Sequence, residues 1–336
     1  MTTAVETLRG PRLWIQALYT VPRIDPARVD PISRWLILGR VSVVVMSAIS
    51  AVIGGLLAAH DGVVDLPLLL LVCLGLVLAH TGSNLVNDFW DYRHGIDTPE
   101  SPRANYSPHP LAAEGYFRQF VAVTLAVLAG AAAIGVYLTA VSGPGVLIFA
   151  LSGAALLMFY SGGPFPLKYV GLGEIAVFVI WGPLMIGGTY YVLTERLPAW
   201  VLLASVPYAL GVTSVLLGKH LDKLDFDREK GVRTLPVVLG ESLARRLTMA
   251  VCALMYVATA ALAVAERMPG LVTVAAALPL MAIVVRFYRW PKPKERPRGY
   301  RGWPLWFVGV AFIHNRRFGL LLVVGLAIQV LAEEIL

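Results

Sequence analysis

The sequence predicts an all-α polytopic membrane protein, with about nine transmembrane helices around a central cavity. Three observations carry that prediction. The chain has 336 residues, 57% hydrophobic and only 15% charged, with a mean hydropathy of +0.71, a profile typical of polytopic membrane proteins. It contains nine apolar runs of roughly 15–25 residues, the length needed to cross a bilayer core. If these runs alternate in direction and the N-terminus is cytoplasmic, 26 of the 28 Lys and Arg residues fall on the cytoplasmic side. Only Arg196 and Arg267 lie opposite, a strong positive-inside bias.

Residues 1–34 come first, a polar, Pro-interrupted arm carrying Arg9, Arg12, Arg23, Arg28 and Arg34, with no signal-peptide pattern. Trp14, Ile15, Leu18 and Tyr19 suit it to lying in the membrane interface. A transmembrane domain then spans 35–336. Its runs are 35–59, 67–87, 117–141, 146–160, 172–191, 200–218, 247–265, 271–285 and 318–331. The 31 Gly and 22 Pro residues are compatible with membrane helices, where small residues permit close packing. Outer loops are short: His60–Asp65, Ser142–Gly145, Leu193–Pro198 and Glu266–Pro269. Inner loops are long and chemically rich, which biases function to that side and argues against a simple pore. The inner loop Arg286–Arg317 holds the basic run Pro291–Arg298 and then Trp303, Trp306 and Phe307. It reads as a solvated loop with an aromatic interfacial anchor. The net charge of +7 follows from topology and contact with anionic lipid, so no nucleic-acid surface is expected. Cys73 and Cys252 lie inside apolar runs, without metal-ligand spacing or a disulfide role.

Two clusters of carboxylates sit where apolar runs end. The first follows the second run: Asn84, Asn87, Asp88 and Asp91, then Gly95 and Asp97. On a helix, 84, 87, 88 and 91 share one face. Two carboxylates and two carboxamides there offer hard oxygen ligands suited to Mg²⁺. A capped, solvated helix end would account for a single Asp, but not for a polar stripe running back into an apolar span. The second cluster follows the sixth run. Asp222, Asp225 and Glu229 share one helical face, while Lys219, Lys223, Asp227 and Lys230 share another. The carboxylates would serve a second metal and the lysines phosphate oxygens, with Asp227 able to pair with Lys223 or Lys230. Each cluster closes with a glycine and then a threonine, Gly95 and Thr98, Gly231 and Thr234. That weak internal similarity suits two helical halves facing one cavity. A third segment, from Tyr160 through Lys168 to Glu174, is a Gly/Pro-fixed turn on the same side. From it Tyr160 and Lys168 could reach a phosphate or an acceptor.

Nine spans with paired acidic motifs after the second and sixth resemble the UbiA superfamily of intramembrane prenyltransferases. Asn-Asp-x-x-Asp-x-x-x-Gly-x-Asp at 87–97, the Tyr-Ser-Gly-Gly-Pro-Phe-Pro run at 160–166 and Gly-Leu-Gly-Glu at 171–174 most resemble its MenA-type branch. So does the tail from Asp227 through Gly231, Arg233 and Thr234 to Gly240. That branch attaches a polyprenyl chain to 1,4-dihydroxy-2-naphthoate in menaquinone synthesis. The resemblance covers roughly 35–330. It implies catalytic, Mg²⁺-ligating roles for Asp88, Asp91, Asp222, Asp225 and Asp227. Contacts to a prenyl diphosphate donor or to an aromatic or quinone-precursor acceptor would come from Asn84, Asn87, Arg93, Tyr160, Lys168, Lys219 and Lys223. The expected setting is a bacterial inner membrane with the site cytoplasmic. One departure stands out. The family's second motif reads Asn-x-x-Arg-Asp-x-x-x-Asp, whereas this chain has Lys219, Asp222, Lys223 and Asp227 at those places.

The implied chemistry is ionisation of an allylic diphosphate against metal and lysine charge, then attack by an electron-rich ring. A UbiA-type terpene cyclase would quench the cation within its own chain instead. A cation-coupled transporter would need carboxylates near the bilayer midplane on broken helices, whereas these lie at span ends on one side.

Overall fold

The computed structural model describes residues 10–20, 29–98, 101–105, 109, 111 and 117–335. The parts of the N-terminal arm at 1–9 and 21–28 lie outside the described residues, with Arg9, Arg23 and Arg28. Every regular element among the described residues is helical. In chain order these are α1 (Pro11–Tyr19), α2 (Pro31–Leu38), α3 (Val41–His60), α4 (Leu66–Arg93), α5 (Phe117–Ser142) and α6 (Val146–Ser161). There follow α7 (Gly173–Val179), α8 (Gly188–Thr194), α9 (Ala199–Asp222), α10 (Leu224–Glu229), α11 (Leu235–Leu239), α12 (Glu241–Ala265), α13 (Leu278–Tyr288) and α14 (Phe307–Ile335). Among the described residues, eight helices are long and apolar enough to span a bilayer, and the 16-residue Val146–Ser161 is a shorter ninth. The chain is an integral membrane protein.

Burial separates inner from outer helices. In α9, 83% of the apolar window is buried, against 6% in α5. The central helix α9 packs on α12, α14 and the segment Ile180–Gly187. Its small residues allow that approach: a Cβ at Gly211 would lie 2.1 Å from Asn315 Oδ1. The outer faces show Leu125, Val136, Ile148, Leu151, Val257 and Val264, apolar surface that a lipid environment requires.

Three spans differ in detail from the sequence reading. The first is broken between α2 and α3, where Arg40 adopts φ 58°. The fifth runs continuously through Gly173–Thr194, but Pro183 lacks an amide proton, and a π-helical stretch at Ile180–Gly187 accommodates it. The last begins at Phe307 rather than 318, so Arg316 and Arg317 are helical. Arg316 stacks over the Tyr19 ring at 4.5 Å and donates to the Leu18 carbonyl. That contact anchors α1, whose Leu13 and Ala17 are buried while Ile15 and Tyr19 stay exposed. In the loop after α13, Trp306 packs on Phe287 at 4.4 Å and on Tyr300 at 5.0 Å.

Candidate active site

At one end of the bundle, α4 carries its polar stripe into a nest of basic side chains. Asp88 is fully buried. Arg103 grips it with both terminal nitrogens, at 2.5 and 2.7 Å, and reaches Asp97 at 2.7 Å. Arg40 adds a contact to Asp88. Its left-handed backbone follows Gly39 directly and turns the chain from α2 into α3; such strain in a non-glycine residue marks a site that the surroundings hold in place. Asn84 donates to the Gly39 carbonyl at 3.1 Å, fastening α4 to the same turn. Burial pushes the Asp97 carboxyl up, but a His109 hydrogen bond and the Arg103 and Arg40 charges outweigh it and hold it well below the usual range. Burial likewise opposes the charge on Arg103, yet Asp88 and Asp97 raise its pKa. Ligand atoms of Asp88, Asp97 and His109 lie within 4.8 Å of one another.

One turn on, Asp91 receives Lys168 Nζ at 2.6 and 2.7 Å and the Tyr169 hydroxyl at 3.0 Å. Lys168 is 1% exposed, held in the short 3₁₀ turn Leu167–Val170. Burial lowers its pKa, with Asp91 opposing; burial and then Asp91 raise that of Tyr169. Asn87 donates to Asp91 at 3.0 Å and accepts from Ser161 at 2.5 Å. That bond needs α4 and α6 close together, and a Cβ at Gly162 would sit 2.3 Å from Trp90 Nε1.

The second motif faces the same region. Asp227 is fully buried and pairs with Lys223 at 2.8 Å, the sequence having left Lys223 and Lys230 as alternatives. Tyr160 feels the charges of Glu174, Asp91 and Asp227 together, and Lys168 those of Asp91, Lys223 and Asp227. Lys219, one turn before Lys223, lies within electrostatic reach of Arg40, Lys223, Lys168 and Asp91. Beneath them the buried pair Glu174 and His220, 2.7 Å apart, ties α7 to α9.

Three expected site residues are placed elsewhere. Asp225 is 85% exposed beside Arg228 at 3.0 Å, because α10 turns it to solvent while burying Leu224 and Asp227. Asp222 accepts from the Phe307 and Val308 amides at 3.0 Å and pairs with Lys292 at 3.3 Å. It caps α14, where amide donors would otherwise lack partners. Arg93 is exposed at the end of α4. Conversely, Arg40, Arg103, His109, Ser161, Tyr169 and the Glu174–His220 pair escaped the sequence reading. Only the left-over buried charge of Asp88 could have signalled a search for distant arginines.

Carboxylates are hard oxygen donors of the kind a Mg²⁺-type cation takes, and Asp88 and Asp97 are the two whose ligand atoms converge, with His109, while Asp91 lies one turn along α4. Five bases around them suit an anion with several oxygens.

The model of the UbiA prenyltransferase family matches residues 47–316. The 1,4-dihydroxy-2-naphthoate octaprenyltransferase of Bacillus subtilis (strain 168) is 27% identical over 261 residues, 76% of this chain and 78% of that one. Among solved structures, the apo UbiA homolog from Aeropyrum pernix K1 has a TM-score of 0.63 at 16% identity, covering 85% of this chain and 98% of that one. The UbiA homolog from Archaeoglobus fulgidus bound to GPP and Mg²⁺ has a TM-score of 0.55 at 16% identity, covering 86% and 99%. These structures establish the fold, and the family match over most of the chain establishes the class: the protein belongs to the UbiA prenyltransferase family and is a prenyltransferase.

Proposed function

We propose that this enzyme transfers a prenyl group from an allylic prenyl diphosphate to an aromatic acceptor of the dihydroxynaphthoate type. The observation that carries the proposal is the matching of acids and bases at one end of the bundle. Asp88, Asp91 and Asp227 are each buried, and each is neutralised by Arg40 and Arg103, Lys168 or Lys223. These bases are the groups placed to turn onto a diphosphate.

Asp88, Asp91 and Asp97 would hold Mg²⁺, which when bound supplies Lewis-acid charge against the leaving diphosphate. Arg40, Arg103, Lys168, Lys219 and Lys223 hold phosphate oxygens and stabilise the charge that grows as the C–O bond ionises. The apolar interior takes the prenyl tail and keeps water from the allylic cation. An electron-rich ring carbon of the acceptor then forms the new C–C bond, and the ring loses a proton or its carboxyl group. The acceptor is inferred from the Bacillus subtilis relative's name together with the Gly-Leu-Gly-Glu segment at 171–174. The Lys and Arg bias supports a cytoplasmic site in a bacterial inner membrane, with the arm at 1–34 lying on that surface as an appendage of the transmembrane domain.

The deciding experiment incubates the purified protein with Mg²⁺, prenyl diphosphates of graded length and 1,4-dihydroxy-2-naphthoate, with product identified by mass. Prenylated naphthoquinol is expected. Diphosphate release with a cyclised hydrocarbon from donor alone would replace transfer by cyclisation. Absence of donor turnover with every acceptor would refute the proposal.

A further inference from the structure

The two acidic segments end in the same backbone turn, which sets them in register. Gly95 and Gly231 both take positive φ, 67° and 72°. Ile96 donates to the Asp91 carbonyl and Val232 to the Asp227 carbonyl, each at 2.8 Å. Gly95 likewise donates to Tyr92, and Gly231 to Arg228. This is one C-terminal capping motif used twice. In that register Asp227 corresponds to Asp91, Lys223 to Asn87, and Leu224 to Asp88. The correspondence extends to contacts: Asn87 donates to Asp91 at 3.0 Å, and Lys223 pairs with Asp227 at 2.8 Å.

The halves are therefore chemically unequal. The first offers three buried or half-buried carboxylates, Asp88, Asp91 and Asp97. In the second, the place of Asp88 is taken by Leu224, 6% exposed. Asp222 is spent on the α14 amides and Lys292, Asp225 is in solvent with Arg228, and Glu229 is exposed. Asp227 is left as the buried carboxylate of this segment, with an ammonium against it. Two-metal centres hold their ions about 3.5–4 Å apart, between carboxylates contributed from both sides. A second Mg²⁺ beside Asp227 would find one buried carboxylate where the first segment offers three, with the apolar Leu224 in the place of the next ligand. One carboxylate plus a divalent cation carries the same net charge as a lysine alone.

Resting on the prenyl diphosphate reading above, we infer that this enzyme uses a single divalent cation, held by the first segment. Lys223, with Lys219 one turn behind it, delivers to the diphosphate the charge a second cation would bring. The chain has exchanged a metal for an ammonium on one side of its site.

The test counts ions rather than turnover. Full-length protein in detergent is titrated with Mn²⁺ in the presence of an unreactive allylic thiolodiphosphate, and the analogue-dependent bound Mn²⁺ is quantified by electron paramagnetic resonance. One Mn²⁺ per chain is expected, rising to two in Lys223→Asp. Lys223→Ala should keep one Mn²⁺ and lose about ten- to hundredfold in analogue affinity, the worth of a charge-assisted contact. Two Mn²⁺ in the unaltered protein would overturn the inference, as would a Lys223→Ala variant binding the analogue undiminished. Failure of the analogue to bind at any Mn²⁺ concentration would instead strike the prenyl diphosphate reading itself.

Discussion

Replacing Asp222 by Asn separates a structural carboxylate from a metal ligand. Its two oxygens accept the Phe307 and Val308 amides at 3.0 Å, and Lys292 lies 3.3 Å from one of them while also donating to the Asp222 carbonyl at 3.0 Å. Asn retains one acceptor and remains a good helix cap. It loses one charge-assisted hydrogen bond, worth about 1.5–3 kcal/mol, and a carboxylate at a helix N-terminus, worth about 0.3–1 kcal/mol. The side chain is 7% exposed, so solvent screening is weak, and a loss of about 2–3 kcal/mol is expected. Asp222→Ala leaves two amides and Lys292 without their partner, and should cost about 3–5 kcal/mol. Thermal unfolding in detergent reads the stability change, and initial rates of prenyl transfer at saturating Mg²⁺ read the chemistry. Asp222→Asn should unfold several degrees lower yet keep turnover within about fivefold, a barrier change near 1 kcal/mol. A variant with an unchanged unfolding midpoint and turnover below about a hundredth would show that Asp222 acts on the reacting groups, and would refute the capping role.

Asp91→Asn deletes charge with almost no change of volume and should lower turnover at least hundredfold while leaving the folded fraction intact; retention of a tenth of the activity would exclude direct involvement. Chelation by EDTA should abolish turnover and added Mg²⁺ restore it; persistent turnover in EDTA would remove the metal from the reading. Burial favours the neutral amine of Lys168, so its ammonium is lost at lower pH than in a free lysine. The alkaline limb of kcat/KM should thus fall below the ordinary lysine value of about 10.4 and shift upward in Lys168→Arg. Asp225→Asn and Arg93→Ala should change turnover less than twofold, since both side chains are exposed and exposed ion pairs contribute about 0–1 kcal/mol.

Membrane folding made much of the architecture legible. A bilayer-length apolar run must be helical, because lipid offers no partners for backbone amides, so the runs from 35–59 to 318–331 can be read from composition. Helical periodicity placed Asn84, Asn87, Asp88 and Asp91 on one face, since those positions depend only on 3.6 residues per turn. The boundaries at Gly39–Arg40 and Phe307 could not be read this way. Each is set by a contact between distant segments, Arg40 with Asp88 and Asp222 with the α14 amides.

The sequence alone determined a helical membrane protein with two acid-rich helix ends and bases near them, because span length and helical spacing are local quantities. The tertiary structure decided which charges meet. Asp222, Asp225 and Asp227 look alike in sequence, but one caps a helix, one faces water and one is buried against Lys223. Arg103 reaches Asp88 from fifteen residues away and Lys168 reaches Asp91 from seventy-seven. A buried charge takes whichever partner the packing brings near, and desolvation penalises every arrangement that leaves it alone. That choice is made by the fold around the residues, not by their order.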